Sequence, residues 1–267
     1  MSFLAEIVSE TKVAIGRPEY LPSEKSAAAS RPRASLKLAV ERAGAGGAVL
    51  VEFKRVSPGS DRPVLPSWSA DEFVRATSSG GIAGYSCVAT APRFRGSPGD
   101  VAALTARTRL PVLYKDFVID SRQLDAASRS GASAVLLIAR LETEGLLPTP
   151  LSDLADAAHA RGLEVLLELH DKSELRRIAN VAADMYGVNV RNLVTLRMEP
   201  AKADETIREA QGLRPLLGLS GVGDAADAIR LWDGGVDGIL VGSAVARSSD
   251  PGKFLRSLHR STGGLVP

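Results

Sequence analysis

The sequence lacks several features that mark whole classes of protein. No apolar run approaches the ~18 residues that a membrane-spanning helix requires. The first residues, MSFLAEIVSETK, show neither the basic start nor the cleavage site of a signal peptide. A formal net charge of +2 leaves no basic stripe for nucleic acid. These absences predict a soluble globular protein that acts on neither membranes nor nucleic acids.

Cysteine and histidine are also scarce. The single cysteine, Cys87, lies in the apolar run YSCVA, so we expect a buried, reduced thiol and a cytoplasmic location. The three histidines, His159, His170 and His259, are far apart on unrelated elements, and most of them are expected at the surface. Because no Cys or carboxylate spacing complements them, the sequence predicts no metal site.

Lysine is rare enough for its positions to be informative. The chain has eight lysines against 25 arginines, yet Lys54 and Lys115 each end a short apolar run, in VLVEFKRVSP (49–58) and LPVLYKDF (110–117). Lysine can serve as a proton donor and arginine cannot. Two lysines at the ends of predicted strands therefore indicate an enzyme.

Short strand-like runs alternate with helix-length stretches whose apolar residues recur at a period near 3.6. Eight such alternations in about 220 residues predict a (β/α)8 TIM barrel, with its site at the carboxyl ends of the strands. A doubly wound sheet is the alternative, but no GxGxxG turn follows the first strand. The predicted strands are 48–54, 83–89, 111–115, 133–139, 163–169, 184–190, 214–220 and 237–242. The predicted helices include 69–80, 121–131, 150–162, 171–182, 202–212 and 224–235.

The first strand begins only near residue 48, so residues 1–47 precede the barrel. Helical stretches at 2–15 and 34–43, with a Pro- and Ser-containing connector between them, indicate an extension of one domain. The barrel itself is assigned to 48–267. The extension either plugs the bottom of the barrel or lies across its top, and the sequence leaves both placements open.

The predicted strand ends carry acids and amines on one face. Alternation places Glu52 beside Lys54 on the first strand, and it directs Lys115 and Glu168 to the same interior from the third and fifth strands. Two carboxylates and two ammonium groups would then face one cavity. The alternative is an ion-pair network at the barrel rim without a catalytic role.

Two later turns predict a phosphate site. LSGVG (219–223) and VGSAVARS (241–248) follow the last two strands, where backbone N–H groups and hydroxyls commonly bind phosphate in this type of barrel. Asn189 and Arg191 follow the sixth strand and add an amide and a fork-shaped cation suited to a carboxylate.

The segments VEFKRVSPGS, YKDFVID, AVLLIARL, LEVLLELHD, YGVNVRNL, LSGV and ILVGSAV, in this order, resemble the indole-3-glycerol phosphate synthase family of tryptophan biosynthesis. The resemblance implies a (β/α)8 carboxy-lyase with an N-terminal helical segment near its site and with no cofactor. The implied substrate is 1-(2-carboxyphenylamino)-1-deoxyribulose 5-phosphate, a small phosphorylated molecule. We expect a monomer or a weak homo-oligomer.

The resemblance also implies roles for individual residues. Lys115 would be the general acid of ring closure, and Lys54 would serve the substrate carboxylate or the departing hydroxyl. Glu52 and Glu168 are both candidate bases, and Asn189 would orient the substrate. The implied binding residues are Ser220, Gly221, Gly242 and Ser243 for the phosphate, Ser57 and Arg191 for polar groups, and Pro58, Phe94, Phe117, Leu136 and Ile138 around the aromatic ring.

The chain departs from the family pattern at two strand ends. Leu219 stands before Ser220-Gly221 where the family usually has Glu, and Ala89-Thr90 stands where Thr-Glu is usual. A missing carboxylate near the lysines would change the rate or the pH optimum. Two other interpretations therefore stay open: a barrel lyase or aldolase that uses a lysine Schiff base, and a degenerate phosphate-binding barrel without turnover.

Overall fold

The computed structural model describes residues 2–22, 27–57 and 68–260 and shows a closed barrel of eight parallel strands. Each strand pairs with the next along the chain, and the eighth pairs with the first. The predicted (β/α)8 fold is confirmed. The strands are β1 (Ala48–Phe53), β2 (Gly84–Val88), β3 (Val112–Lys115), β4 (Ala134–Ile138), β5 (Glu164–Leu169), β6 (Met185–Asn189), β7 (Leu216–Leu219) and β8 (Gly238–Val241).

Helices surround the strands and also precede them. Several helices begin at polar caps of the predicted kind: Ser69 and Asp120, for example, each form a reciprocal capping box. No helix in the described ranges is long and apolar enough to span a membrane. The helices are α1 (Phe3–Ile15), α2 (Leu36–Ala43), α3 (Ala70–Thr77), α4 (Pro98–Thr105), α5 (Ser121–Arg129), α6 (Ala139–Thr143), α7 (Leu151–His159), α8 (Pro200–Glu209), α9 (Ala225–Asp233), α10 (Ser243–Arg247) and α11 (Pro251–Ser257).

The alternation of side chains along the strands separates two apolar clusters. Val49 and Val51 of β1 face the surrounding helices, whereas Leu50 faces the barrel interior with Leu113 and Leu166. Both faces of every strand are therefore covered, which is why the strands read as continuous apolar runs in the sequence. Polar residues that interrupt these runs at their carboxyl ends lie at the mouth of the barrel.

The helix predicted over 171–182 does not form. A single 3-10 turn, Lys172–Glu174, takes its place, and the backbone bonds that follow join residues three apart. Glu174 is turned inward and is 1% exposed, where it accepts from the backbone N–H of His170 at 2.8 Å and pairs with Arg140. These buried contacts hold the segment in tight turns that return to β6.

The first part of the N-terminal extension crosses the carboxyl end of the barrel. Arg93, in the loop after β2, pairs with Glu6 at 2.8 Å and with Glu10 at 2.6 Å on α1. The rings of Phe3 and Phe117 meet edge to face, with centroids 6.5 Å apart. Helix α1 therefore covers the end of the barrel at which the predicted site lies.

The second part of the extension closes the amino end of the barrel. The Glu164 carboxylate, at the start of β5, accepts from the backbone N–H groups of Leu36 at 2.7 Å and Lys37 at 3.1 Å, and it also bonds Ser35. Arg33 donates to the carbonyls of Arg161 and Gly162, at 2.8 Å and 2.9 Å. The extension thus occupies both placements that the sequence left open.

Replacing Glu164 with Ala should lower the free energy of unfolding by about 1–3 kcal/mol, because two N–H groups at the start of α2 lose their charged acceptor. Urea denaturation gives this value from the change in midpoint at constant slope.

The matched control is Glu205→Ala, which removes a carboxylate from an exposed ion pair with Lys172. That variant should lose less than about 1 kcal/mol. Equal losses in the two variants would contradict the assigned role of Glu164.

Candidate active site

A carboxylate joins two lysines at the mouth of the barrel. Glu52 Oε1 lies 2.5 Å from Lys54 Nζ, and Glu52 Oε2 lies 3.6 Å from Lys115 Nζ. Lys54 directly follows β1 and Lys115 ends β3, so the closed barrel brings together residues 61 positions apart in the chain. The three side chains therefore lie close together at the carboxyl end of the barrel.

The ion cluster of Glu52, Lys54 and Lys115 is largely removed from solvent. The Glu52 side chain is 5% exposed, and the side chains of Lys54 and Lys115 are 13% and 23% exposed. Burial raises the pKa of Glu52, but the two nearby ammonium groups outweigh burial and hold the pKa below its ordinary value. Glu52 is therefore an anion near neutral pH and holds both lysine heads in place.

Glu168 lies on β5 in a different environment. Its side chain is 1% exposed, and its Oε1 is 3.1 Å from Nε2 of His170. Within the described part of the chain, neither Glu168 oxygen has an aligned hydrogen-bond donor. Burial raises the pKa of Glu168, but His170, the charge of Lys115 and the amide of Asn189 outweigh it and keep the pKa below the ordinary range.

Most of the three histidines were expected at the surface, but His170 is buried. The side chain is 3% exposed and lies against Glu168. The two residues are separated by one position, so strand alternation directs both to the barrel interior. Applying this period one step past the end of β5 would have identified His170 from the sequence.

Asn189 ends β6 and is 6% exposed. Its Oδ1 accepts from the backbone N–H of Arg191 at 2.9 Å, which leaves the amide nitrogen to donate. The Arg191 side chain donates to the carbonyl of Leu196 at 3.0 Å. The two residues therefore brace the loop after β6 beside the cavity.

An open cavity of about 930 Å³ adjoins the ion cluster. At the edge of the cavity, the chain turns at Ser220 and Gly221, which have φ values of 63° and 77°. The hydroxyl oxygens of Ser57 and Ser243 are 3.2 Å apart. A Cβ on Gly242 would come within 2.9 Å of Glu52 Oε1, so any larger residue here would displace the Glu52 carboxylate. The lining includes Glu52, Lys54, Ser57, Arg191, Ser220, Gly221, Gly242 and Ser243.

Two arginines of the cavity were missed from the sequence. Arg247 lies four residues after Ser243 on α10, and this spacing places both on one face of the helix. Arg230 of α9 also lines the cavity and pairs with Asp204. The i,i+4 spacing after the second Ser-containing turn could have identified Arg247, whereas Arg230 had no comparable signal.

The predicted walls of the aromatic ring lie together under α1. Phe94 and Phe117 have ring centroids 6.0 Å apart. Both belong to one buried apolar cluster with Leu136, Ile138 and residues of α1. Pro58, also predicted here, lies outside the residues that the structure describes.

The two departures from the family pattern have structural consequences. Leu219 is 1% exposed. A Cβ added to Gly187 would lie only 2.6 Å from Cδ1 of Leu219, so the leucine side chain already fills the space beside β6. Thr90 donates to Oδ1 of Asp116 at 2.7 Å, and Tyr20 of the extension donates to Oδ2 at 3.3 Å. Thr90 thus helps to satisfy a buried carboxylate directly behind Lys115.

The described residues contain no cluster of side chains that could bind a metal ion. No group of three His, Cys, Asp or Glu side chains there is close enough to hold an ion, so we assign no metal ligands.

Comparisons with known proteins match this chain to one enzyme family. A family model described as indole-3-glycerol phosphate synthase matches residues 4–258. Indole-3-glycerol phosphate synthase 2 of Streptomyces coelicolor is 35% identical over 259 residues, covering 96% of this chain and 98% of that protein. The indole-3-glycerol phosphate synthase of Koribacter versatilis is 34% identical over 238 residues, covering 88% of each chain.

Solved structures of lower identity show the fold alone. Tryptophan synthase subunit alpha of Legionella pneumophila matches with a TM-score of 0.57 at 14% identity, covering 84% of this chain and 96% of that one. Thiamine phosphate pyrophosphorylase of Pyrococcus furiosus also has a TM-score of 0.57, at 20% identity over 80% of this chain and 93% of that one. Together with the match of the family model and the sequence relatives, the site geometry leads to one conclusion: this chain belongs to the indole-3-glycerol phosphate synthase family.

Proposed function

We propose that this chain converts 1-(2-carboxyphenylamino)-1-deoxyribulose 5-phosphate to indole-3-glycerol phosphate, with loss of one carbon dioxide and one water. The observation that carries the proposal is Glu52 held between Lys54 and Lys115 beside an open cavity. Two ammonium groups supply the two proton donors that ring closure and dehydration require. Membership of the family supports the same reaction.

The two halves of the site match the two ends of this substrate. The phosphate fits the open cavity, where Ser220, Gly221, Gly242 and Ser243 lie with the cations Arg230 and Arg247. The carboxyphenyl ring fits the apolar cluster of Phe94, Phe117, Leu136 and Ile138 beneath α1. The ketone then lies between the two halves, at the level of the lysines.

Ring closure needs a proton at the ketone oxygen as the ring carbon that bears the carboxylate attacks the carbonyl carbon. We assign this proton to Lys115, whose ammonium group is held by Glu52. Departure of carbon dioxide from the attacking ring carbon then restores the aromatic ring. A hydroxyl group remains on the new five-membered ring.

Dehydration removes that hydroxyl as water and a proton from the ring. Lys54, which lies beside Gly242 of the phosphate site, is placed to protonate the departing hydroxyl. Glu168 is the better base, because its oxygens have no aligned donor among the described residues, whereas Glu52 is shared by two ammonium groups. Asn189 would orient the intermediate through its amide nitrogen, since its Oδ1 is occupied by the backbone N–H of Arg191.

The cellular setting belongs to this proposal as well. Cys87 is buried and unpaired, which is the usual state of cysteine in a reducing compartment. We therefore place the reaction in the cytoplasm.

Lys115→Arg should lower kcat by about 10²–10⁴-fold, because arginine keeps the charge beside Glu52 but does not release a proton. Indole fluorescence on mixing enzyme and substrate measures the rate.

The control is Lys172→Arg, a lysine 52% exposed in a surface ion pair, which should leave kcat unchanged. Full activity of Lys115→Arg would exclude Lys115 as the acid. Saturable substrate binding by the wild type without fluorescence would instead support a phosphate-binding barrel that lacks turnover, and borohydride trapping of Lys115 would support a Schiff-base enzyme.

Glu168→Gln should separate the two halves of the reaction. Without its base, the enzyme should still close the ring and release carbon dioxide in a single turnover, while indole fluorescence stays about 10²-fold or more below wild type. Release of labelled carbon dioxide and fluorescence are followed on the same sample.

Glu52→Gln is the matched comparison, since it removes the anion that holds both lysines. Both signals should fall together in that variant. If Glu52→Gln shows carbon dioxide release without indole and Glu168→Gln does not, the base role belongs to Glu52.

A further inference from the structure

His170 is a buried polar residue for which the reaction described so far has no use. It follows β5 on the same face as Glu168, and its side chain is 3% exposed. Neither ring nitrogen has an aligned hydrogen bond to any other described residue. Burying an imidazole without such bonds is unfavourable, so an interaction with its nearest polar neighbour is expected.

The nearest polar neighbour is the carboxylate of Glu168. Nε2 of His170 lies 3.1 Å from Oε1 of Glu168, within the distance range of an N–H···O hydrogen bond, although the two groups are not aligned for one. A small rotation of either side chain would align them. Such looseness before substrate binds is common for catalytic contacts.

The backbone of His170 is held firmly from outside the barrel. Its N–H donates to Glu174 Oε2 at 2.8 Å, and Glu174 is itself fixed by Arg140. The next residue, Asp171, caps the following turn through Ser173 N–H at 2.8 Å and pairs with Lys202 at 2.6 Å. The ring is therefore presented to Glu168 from a braced segment.

We propose that His170 is a positioning residue that orients the Glu168 carboxylate for dehydration by donating its Nε2 proton to Oε1. The inference rests on the proposed function, in which Glu168 is the base. With Oε1 occupied by His170, Oε2 is the oxygen that takes the substrate proton. The proton on Nε2 stays on the ring throughout.

The amide of Asn189, at the end of β6, also stabilises the Glu168 carboxylate and lowers its pKa. The charged groups around the pair are Lys115 and Glu52 at the mouth of the barrel, and Glu174 with Arg140 behind His170. Lys115 is bound to Glu52, and Arg140 is bound to Glu174. Among the described residues, His170 is therefore the titratable group in contact with Glu168.

His170→Leu keeps an apolar side chain in the pocket but removes the donor. We expect kcat to fall about 10- to 100-fold, the effect of losing one hydrogen bond to a charged group, with KM within about twofold. The acidic limb of the kcat profile should move to higher pH, because Glu168 without its donor accepts a proton more readily. In the wild type that limb should lie below the ordinary range of glutamate, since the pKa of Glu168 is lowered.

Two polar variants test the geometry and guard against misfolding. The amide nitrogen of His170→Gln reaches the position of Nε2, so this variant should recover most of kcat. The shorter His170→Asn reaches only the position of Nδ1 and should resemble His170→Leu. Thermal unfolding of all three variants shows whether each is folded.

A second readout does not need turnover. The carboxyl ¹³C shift of Glu168, assigned with Glu168→Gln, is followed by NMR against pH in the wild type and in the His170 variants. Absence of indole from the wild type would refute the proposed function, while an upward shift of this titration in the folded Leu or Asn variant would still support the pairing. Titration curves and rates that are the same in the wild type, Gln and Asn proteins would overturn the inference.

Discussion

The structure depends on holding the ammonium groups of Lys54 and Lys115 and the carboxylates of Glu52 and Glu168 together where little solvent reaches them. Moving one such ion from water into a protein interior costs several kcal/mol unless opposite charges and hydrogen bonds offset it. Glu52 offsets the charges of Lys54 and Lys115, and the closed barrel holds all three in place. An open sheet could not bring the ends of β1 and β3 to the same enclosed mouth as β5 and β6.

The N-terminal extension explains how this mouth is kept from water. Helix α1 covers the apolar half, and Tyr20, just after it, reaches the buried Asp116 behind Lys115. Burial and the neighbouring Asp116 raise the pKa of Tyr20, so its hydroxyl stays protonated and can donate. Helix α2 seals the opposite end through Glu164. One segment thus stabilises the barrel and shapes the site.

Local sequence patterns predicted much of this arrangement. The alternation of side chains along each strand was enough to direct Glu52, Lys54, Lys115 and Glu168 to the barrel interior. The other face of each strand is covered by apolar contacts with the helices. The placement of the extension depends on contacts between residues about 90 to 130 positions apart, such as Glu6 with Arg93 and Leu36 with Glu164, and no local pattern encodes them. The failed helix at 171–182 has the same cause, since the buried pairing of Glu174 with Arg140 overrides helical periodicity.

Leu219 shows how the ion cluster tolerates a change at its edge. Its buried side chain packs against the Gly187 backbone and fills the space beside β6. A carboxylate there would be a third anion at the mouth, beside Glu52 and Glu168, and would oppose the negative substrate. With leucine at position 219, the two lysines share the mouth with two acids, Glu52 and Glu168, and His170 lies against Glu168. The cluster is therefore balanced without position 219, and the base and both acids of the proposed reaction remain in place.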